Sequence, residues 1–350
     1  MRKKERFYRL LELPGRLLVL LVIFMVSCVS HNVTAPSSVG AWLVYWDAKR
    51  GMSEIRGHPG LFDRVSMFAY ELDDNGVPQP APGVYELYGP FFDLSREIGF
   101  KPWVTVVNDV RHRDGSVKLK DSDIVHRIIK DPKLRTEHVK ALAGKVAADG
   151  FKGLDLDYES LNAATQDDFR LFVTELAQEL RAHSIELNVV VEATRGPLPA
   201  DKTAAVSVMA YNLHGGHSGP GPRATPAFIE GLIGRVRGDV NAEPVLALGI
   251  GGFSWPPDGK AKQMEWSKPK ELASEVASRG RGIIDRVPWI KLKDGSEIWY
   301  DDQESLTAKW KAAHKVGYKR LMIWRLGGND ESFFQWLSQS RKNGGPKSSE

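Results

Sequence analysis

Three acidic residues alternate with apolar residues in the stretch Gly153-Leu154-Asp155-Leu156-Asp157-Tyr158-Glu159. A period of two is the period of a β-strand, so the pattern predicts that Asp155, Asp157 and Glu159 project from one face of a strand. Closely spaced carboxylates repel one another, which costs stability unless the charges are used. Catalysis is therefore the first hypothesis for this stretch.

Two other interpretations of the three acids remain open from spacing alone. The stretch could be a solvated edge strand, or it could bind a divalent cation. An Asp-x-Asp-x-Glu sequence suits calcium when it lies in a loop rich in Gly and Asn. Here it lies in a β-prone run whose only glycine, Gly153, precedes the acids.

Short β-prone runs alternate with helical patterns from Val39 onward. The predicted strands are Ala41–Trp46, Val65–Tyr70, Pro102–Val107, Gly153–Asp157, Leu187–Glu192, Ala205–Tyr211, Val245–Ile250 and Arg320–Trp324. The predicted helices between them are Leu87–Ile98, Asp121–Lys130, Thr136–Ala148, Thr165–His183, Pro226–Arg237 and Gln303–Val316.

Eight strand-then-helix units predict an α/β fold, a single (β/α)₈ TIM barrel. A doubly wound open sheet is the alternative, but no glycine-rich phosphate loop follows the first strand. Between strands 7 and 8 the interval from Lys260 to Tyr300 is too long for a simple loop. It predicts a small insertion: a helix over Lys268–Arg279, then a hairpin of Ile283–Lys291 and Glu297–Tyr300 around Asp294-Gly295.

Active sites of such barrels lie at the C-terminal ends of the strands. Candidate side chains stand at or just after several predicted strand ends: Glu159, Tyr70, Asn108, Tyr211, Asn212 and Trp324. Trp46, at the end of the first strand, is a further candidate for contact with a ligand. This convergence strengthens the catalytic hypothesis for the three acids.

The first 27 residues have the composition of an export signal. Six basic side chains precede an apolar run from Leu17 to Val26, which is too short to span a bilayer, since spanning needs about 20 residues. Cys28, the one cysteine of the chain, follows Ser27 and resembles the lipidation site of a bacterial lipoprotein. A plain signal peptide or a signal anchor is the alternative. We expect an exported cell-envelope lipoprotein held to the membrane through Cys28.

Charge and composition limit the partners of the mature protein. Removal of residues 1–27 leaves 42 basic and 42 acidic side chains of the 48 and 44 in the whole chain. Such a balance does not favour nucleic-acid binding, and one cysteine permits no internal disulfide. The predicted organisation is a signal (1–27), a tether (28–38), one barrel domain (39–340) and a polar tail (341–350), acting as a monomer.

Several segments resemble glycoside hydrolase family 18, the barrels of chitinases and N-acetylglucosaminidases. The fourth-strand motif of that family is Asp-Gly-x-Asp-x-Asp-x-Glu, and Lys152–Glu159 matches it except at Lys152. The sixth-strand motif Met-x-Tyr-Asp appears as Met209-Ala210-Tyr211-Asn212. The segment Ile323–Asp330 is more similar to the spore-cortex-lytic, peptidoglycan-acting branch than to secreted chitinases. The resemblance covers about residues 40–338.

The resemblance implies a role for each matching residue. Glu159 would be the general acid and then the base, while the 2-acetamido oxygen of the substrate attacks C1. Asp157 would orient that acetamido group, Asp155 would share a proton or a hydrogen bond with Asp157, and the Tyr211 hydroxyl would hold the acetamido oxygen. The residues expected to bind substrate are Trp324 (as a stacking platform), Asn212, Asn108, Tyr70 and Trp46.

Together these features predict a retaining hydrolase that needs no cofactor or metal and acts on a polysaccharide containing N-acetylglucosamine. Asn212 replaces an aspartate of the family motif, and the third strand lacks the Ser-x-Gly-Gly of chitinases, which puts chitin in doubt as the substrate. The alternative is a catalytically silent, glycan-binding barrel. Silent members of such families usually lose the acid, whereas Glu159 is present here.

Overall fold

Parallel strands form the centre of the part of the chain that the computed structural model describes, residues 34–199, 203–239 and 244–342. In chain order the strands are β1 (Ser38–Val44), β2 (Arg64–Leu72), β3 (Pro78–Pro80), β4 (Lys101–Arg111), β5 (Val117–Lys118), β6 (Gly153–Asp157), β7 (Glu186–Glu192), β8 (Ala205–Met209), β9 (Pro244–Gly249), β10 (Gly252–Trp255), β11 (Lys262–Met264), β12 (Val276–Arg281), β13 (Pro288–Leu292), β14 (Glu297–Tyr300) and β15 (Arg320–Trp324).

Eight of these strands close into a barrel. They pair in parallel in the order β1, β2, β4, β6, β7, β8, β9 and β15, and β15 pairs again with β1. The predicted (β/α)₈ barrel is therefore confirmed, and the open doubly wound sheet is wrong. All eight predicted strands are present, and β6 and β15 have the predicted bounds.

Helices surround the barrel. They are α1 (Ala48–Gly57), α2 (Val84–Ile98), α3 (Ser122–Lys130), α4 (Pro132–Asp149), α5 (Gln166–Ala182), α6 (Pro226–Asp239), α7 (Lys268–Glu271), α8 (Gln303–Lys315) and α9 (Glu331–Lys342). The predicted helices correspond to α2–α6 and α8, whereas α1 and α9 were not predicted. Two glycines weaken the helical pattern of α1. Gly51 is needed there, because a Cβ atom would lie 2.3 Å from Leu43 Cδ1.

The barrel interior has an apolar part and a polar part. The apolar part is a cluster that contacts Phe68, Tyr211 and Trp324 and consists of Trp42, Val190, Met209, Val245, Ala247 and Met322. The polar part consists of two sets of buried hydrogen bonds, one between β2 and β4 and one across β6, β7 and β8. Its links are Ser66 to Thr105 (2.8 Å), Asn188 to Asp155 (2.7 Å) and Ser207 to Asn188 (3.1 Å). The polar part therefore lies on the side of the three acids.

The N-terminal end of the barrel shows why β6 begins with a glycine. Gly153 pairs with Trp103 of β4, and a Cβ atom on Gly153 would lie 2.1 Å from the indole ring. The guanidinium of Arg64 lies 4.1 Å from the centre of the same ring, and its Nη1 donates to Asp155 at 3.0 Å. Because Gly153 has no side chain, the Trp103 ring fits beside it. The Trp103 ring in turn positions Arg64, which pairs with Asp155.

The insertion lies between β9 and β15, but its structure differs from the prediction. It is a five-stranded antiparallel sheet in the order β11-β10-β14-β13-β12. The hairpin of β13 and β14 is present, with Gly295 at φ +88°. The helix predicted over Lys268–Arg279 is wrong beyond the single turn of α7, because Val276–Arg281 pairs with β13. Trp289 lies against Gly280 in that pair, a long-range contact that outweighs local helical preference.

The predicted signal (1–27), residues 28–33 of the predicted tether with Cys28, and residues 343–350 of the predicted tail lie outside the described residues. The end of the predicted tether packs on the barrel: Trp310 Nε1 donates to the carbonyl of Thr34 at 2.9 Å, and Ser37 N donates to the carbonyl of Lys319 at 2.7 Å. Thr34 and Ser37 are therefore held to α8 and to the residue before β15. Within the described ranges, no helix has the length and apolarity needed to span a membrane.

Gly153→Ala tests the packing at the N-terminal end of the barrel. The added methyl group has to displace the Trp103 ring, so we expect the free energy of unfolding to fall by about 2 kcal/mol or more. Gly144→Ala in α4 is the matched control, since nothing lies within 4 Å of the added Cβ. It should raise the free energy of unfolding by about 0.5–1 kcal/mol. Urea unfolding of both variants measures the contrast, and equal effects would contradict this account of the packing.

Candidate active site

The three acids lie as the alternation predicts. Asp155 and Asp157 project into the barrel from β6, and Glu159 follows just beyond the strand end. On the other face, the Tyr158 hydroxyl lies 2.8 Å from His138 Nε2, and its ring stacks on Phe172 of the helical layer. Because β6 pairs on both sides, with β4 and β7, the solvated edge strand is wrong.

Asp155 is the deepest of the three acids and has a fixed partner. It is 0% exposed, and its Oδ1 accepts from Arg64 Nη1 at 3.0 Å and from Asn188 Nδ2 at 2.7 Å. Its Oδ2 has no hydrogen-bond partner, and neither has Asp157 Oδ1. A proton held between the two carboxyl groups would satisfy both oxygens. The sharing that the resemblance implies stays a prediction.

Asp157 lies one layer higher and has no paired cation of its own. Burial raises the pKa of Asp157 well above its usual range, and the nearby charge of Glu159 raises it further, while Lys120 opposes both effects. Asp157 is 6% exposed, so it is shielded from bulk water. The group is therefore a carboxyl that retains its proton to higher pH than an ordinary aspartate, and it can donate a hydrogen bond.

Glu159 opens to the mouth of the barrel. Its side chain is 17% exposed, and its Oε2 contacts the Lys120 ammonium. Burial raises the pKa of Glu159, the charge and hydrogen bond of Lys120 oppose that rise, and Glu192 and Asp109 add to it. A carboxyl with a raised pKa at the surface of a cleft has the properties of a general acid.

Asn108, which was predicted to bind substrate, supports Glu159. Its amide accepts from Glu159 N at 2.9 Å and donates to the Glu159 carbonyl at 3.0 Å, and the residue is 0% exposed. Backbone groups beyond the end of a strand lose their ladder partners, and this side chain replaces them. Asn108 is therefore a positioning residue for the acid.

Tyr70, also predicted to bind substrate, directs its hydroxyl away from the barrel interior. It is 1% exposed, and its hydroxyl donates to Asp149 Oδ2 of α4 at 2.6 Å, outside the barrel. The cause is a bulge in β2: Phe68 pairs with Thr105 but Tyr70 pairs with the next residue, Val106. The extra residue reverses the alternation, so the side chain of Tyr70 points towards the helices.

The other predicted residues lie at the barrel mouth. Tyr211 follows β8, and burial together with the charges of Asp157 and Glu159 raises the pKa of its hydroxyl. Trp324, which ends β15, contacts Phe68 edge-on with ring centres 5.4 Å apart. Trp46 contacts the same Phe68 ring from the other side and is 56% exposed. Asn212 is exposed beside Tyr211.

A cleft of about 330 Å³ opens beside this mouth, a volume within the range of small-ligand sites. Trp46, Phe68 and Leu119 supply apolar surface, and the ion pair of Arg111 with Glu71 supplies polar groups at 2.8 and 3.1 Å. The cleft also reaches Asp109, whose charge acts on Glu159. Aromatic faces next to polar groups suit a sugar ring.

Three charged residues at the mouth were not predicted: Asp109, Glu192 and Lys120. Glu192 ends β7, so the rule that selects Glu159 could have found it. Asp109 lies within a strand that extends beyond its predicted end. Lys120 follows the short β5 and has no local signal. Among the described residues, no group of three or more His, Cys, Asp or Glu side chains is arranged to hold a metal ion, and Arg64 and Lys120 already face the acids as cations.

A closed eight-stranded parallel barrel, with a buried carboxyl and a partly exposed one stacked at its mouth beside tryptophans, defines the class of barrel glycoside hydrolases. The model of one family in that class, glycosyl hydrolases family 18, matches residues 120–330. The match covers more than half of the chain, so the protein belongs to this family.

Curated relatives are distant. YdhD of Bacillus subtilis (strain 168), which is named as a sporulation-specific glycosylase, is 24% identical over 226 residues, 59% of this chain and 54% of the relative. The chain thus matches about half the length of that protein. YvbX of the same organism, an uncharacterised glycosylase, is 21% identical over 63% of this chain and 71% of its own length.

Solved structures share the fold. The spore cortex-lytic enzyme SleL of Bacillus cereus has a TM-score of 0.73 at 13% identity, over 88% of this chain and 75% of its own. A class V chitinase mutant of Cycas revoluta in complex with (GlcNAc)₃ has a TM-score of 0.71 at 18% identity, over 88% and 100% of the two chains. At these identities the likeness shows the barrel fold alone.

Asp157→Asn should stabilise the fold at neutral pH. The folded pKa of Asp157 is raised, so unfolding releases its proton once the pH exceeds the unfolded value near 3.8, and stability is lost as the pH rises. A neutral amide avoids this loss, by about 1 kcal/mol or more at pH 7. The gain should disappear below the unfolded pKa, where both states of Asp157 are protonated.

Asp63→Asn provides the opposite control. Burial acts to raise the pKa of Asp63, but hydrogen bonds from Arg341 and Val39 lower it overall, so this carboxylate stabilises the fold above its unfolded pKa. Its amide variant should be less stable at pH 7 and equal to the wild type at low pH. Thermal unfolding across pH 3–7 measures both effects. Loss of stability in Asp157→Asn at pH 7 would contradict the raised pKa.

Proposed function

We propose that the protein hydrolyses β-1,4 bonds next to N-acetylglucosamine in peptidoglycan or a related glycan, with retention of configuration. One observation carries this proposal: of the three stacked acids, Glu159 alone has an open face, while Asp157 lies buried beneath it near Tyr211. Such a site offers one proton donor and no second exposed carboxylate on β6. The substrate's own acetamido oxygen then serves as the nucleophile.

The residues divide the reaction between them. Glu159 donates its proton to the glycosidic oxygen as the bond to C1 breaks, and the acetamido oxygen attacks C1 from the opposite face. Asp157 faces the acetamido nitrogen; when the proton between the two aspartates lies on Asp155, the Asp157 carboxylate balances the positive charge of the oxazolinium ion, with the Tyr211 hydroxyl directed to the same group. Water then adds to C1 as Glu159 takes back a proton, and two inversions leave the β configuration.

Relatives support the choice of substrate. SleL is named as a spore cortex-lytic enzyme and YdhD as a sporulation-specific glycosylase, which favours peptidoglycan. The chitinase complex with (GlcNAc)₃ favours a chain of N-acetylglucosamine units. The tryptophans at the mouth of this barrel suit either glycan, since both present the same acetamido sugar.

A silent glycan-binding barrel is the second candidate. The observation that favours it is the contact of Lys120 with Glu159, which opposes protonation of the acid. A binding protein needs the cleft and its aromatic residues but no acid. Turnover by the wild type, and its dependence on Glu159, separate the two candidates.

Product analysis tests the proposal. We expect the purified protein to release products from peptidoglycan or chitooligosaccharides, with the β anomer seen first by proton NMR. Initial α product would rule out the acetamido oxygen as the nucleophile. A thiazoline analogue of N-acetylglucosamine should inhibit, because it mimics the bicyclic intermediate.

The same assay identifies the acid. Glu159→Gln keeps the shape but has no proton to donate, so turnover should fall by about 10²-fold or more with folding intact. Glu186→Gln, at the N-terminal end of β7 and paired with Lys101, is the matched control and should keep wild-type activity. A wild-type rate in Glu159→Gln would favour the silent barrel.

We further propose that the protein is exported and lipidated at Cys28. This proposal rests on the sequence before Thr34. Cys28→Ser should leave an unprocessed or soluble form in place of detergent-extractable protein. Fractionation of membranes, with the mass of the mature chain, measures this. An unchanged distribution and mass would show that the apolar run itself is the anchor.

A further inference from the structure

A lysine holds the atom of Glu159 that has to carry the catalytic proton. Lys120 Nζ contacts Glu159 Oε2, and the acids that act on the ammonium are Glu159, Asp157 and Glu192. Lys120 lies outside the motifs of the fourth, sixth and eighth strands. A nearby cation favours the ionised form of a carboxyl group, which is the wrong form for donating a proton.

The backbones of both partners are fixed by the same two residues of β4. The Asn108 side chain binds the backbone of Glu159, and the Asn108 carbonyl accepts from Asp121 N at 2.8 Å. Asp109 Oδ1 accepts from Lys120 N at 2.8 Å. Hydrogen bonds to their backbones therefore hold Lys120 and Glu159 close together, so the contact of their side chains does not depend on side-chain flexibility alone.

A hairpin delivers the lysine to the mouth. β4 and β5 pair in antiparallel fashion through Val110 with Lys118 and Arg111 with Val117. His112 and Ser116 close the turn, and the chain then returns over the C-terminal end of the barrel. The Lys120 side chain is 49% exposed, so its ammonium can move into solvent without unfolding the hairpin.

We propose that Lys120 is a displaceable counter-ion of Glu159: its contact favours the ionised form of the acid in the free protein, and an incoming glycan takes its place, so that Glu159 binds a proton from solvent more readily. This inference rests on the proposed hydrolase function. The Lys120 ammonium and the glycosidic oxygen of the substrate compete for the same place. Each has to lie within hydrogen-bond distance of a carboxyl oxygen of Glu159.

The charges around Glu159 support uptake of a proton once the lysine has left. The groups that face the acid from neighbouring elements are Asp109 of β4, Asp157 of β6, Glu192 of β7, Tyr211 after β8, and Lys120 itself. Burial and the neighbouring acids raise the pKa of Glu159, and Lys120 is the cation that opposes them. Arg195 pairs with Glu192 at 2.7 Å, which reduces the contribution of that carboxylate without reversing it.

Lys120→Met separates the free protein from the complex. The basic limb of kcat/KM reports the acid in the free protein, and that of kcat reports the acid in the complex. We expect the basic limb of kcat/KM to move to higher pH in the variant. At pH values above the basic limb of the wild type, kcat/KM of the variant on a chitooligosaccharide should exceed the wild-type value by roughly threefold or more. The kcat limb should stay in place, because the lysine has already left.

Lys118→Met is the matched control. Lys118 lies on the same hairpin and pairs with Asp121 and Asp123, not with the acid. Its pH profile should equal that of the wild type. An unmoved kcat/KM limb in Lys120→Met, or an equal movement of the kcat limb, would overturn the inference. The second result would mean that Lys120 stays on Glu159 during the reaction.

A measurement without substrate keeps this test independent of activity. The carboxyl carbon of Glu159, identified by the NMR signal that Glu159→Gln removes, should titrate at higher pH in Lys120→Met than in the wild-type full chain. An unchanged titration overturns the pairing. A shifted titration in a protein that hydrolyses no glycan would support the pairing and refute the proposed hydrolase function, so the two failures are distinguishable.

Discussion

Three carboxyl groups stand in a column on the inner face of β6, where the interior screens charge far less than water does. Each one is compensated differently. Asp155 pairs with Arg64, burial raises the pKa of Asp157, and Glu159 contacts Lys120. The deepest acid, Asp155, is paired and buried, whereas Glu159 at the mouth is partly exposed. This difference in burial and pairing leaves one of the three groups available for chemistry.

Much of the barrel maintains the different surroundings of the three acids. Gly153 makes room for Trp103, which carries Arg64 to the foot of the column. At the top, Asn108 replaces the ladder partners that Glu159 loses beyond the strand end. The apolar cluster fills the opposite side of the interior and supports Tyr211 and Trp324. Stability therefore comes from the N-terminal end of the barrel and the apolar side, whereas the mouth bears the cost of several acids placed close together.

Local patterns were sufficient for the architecture. Alternation in β6 correctly oriented Asp155 and Tyr158, since side chains on a regular strand can only take turns between two faces. The same rule failed at Tyr70, where a bulge adds one residue to β2. It also failed at Val276–Arg281, where pairing with a distant strand replaced a local helix. Both errors arise from contacts between residues far apart in the chain.

The sequence by itself determined the eight strands of the barrel, the column of acids and the family to which the chain belongs, because these depend on periodicity and short motifs. Only the tertiary structure decided which residues contact each of the three acids. The Asn108 side chain binds the backbone of Glu159, and Lys120 contacts the acid although it lies 39 residues away in the chain. Partners of this kind depend on how a hairpin folds back over a barrel, and no local pattern records the distance between two such elements.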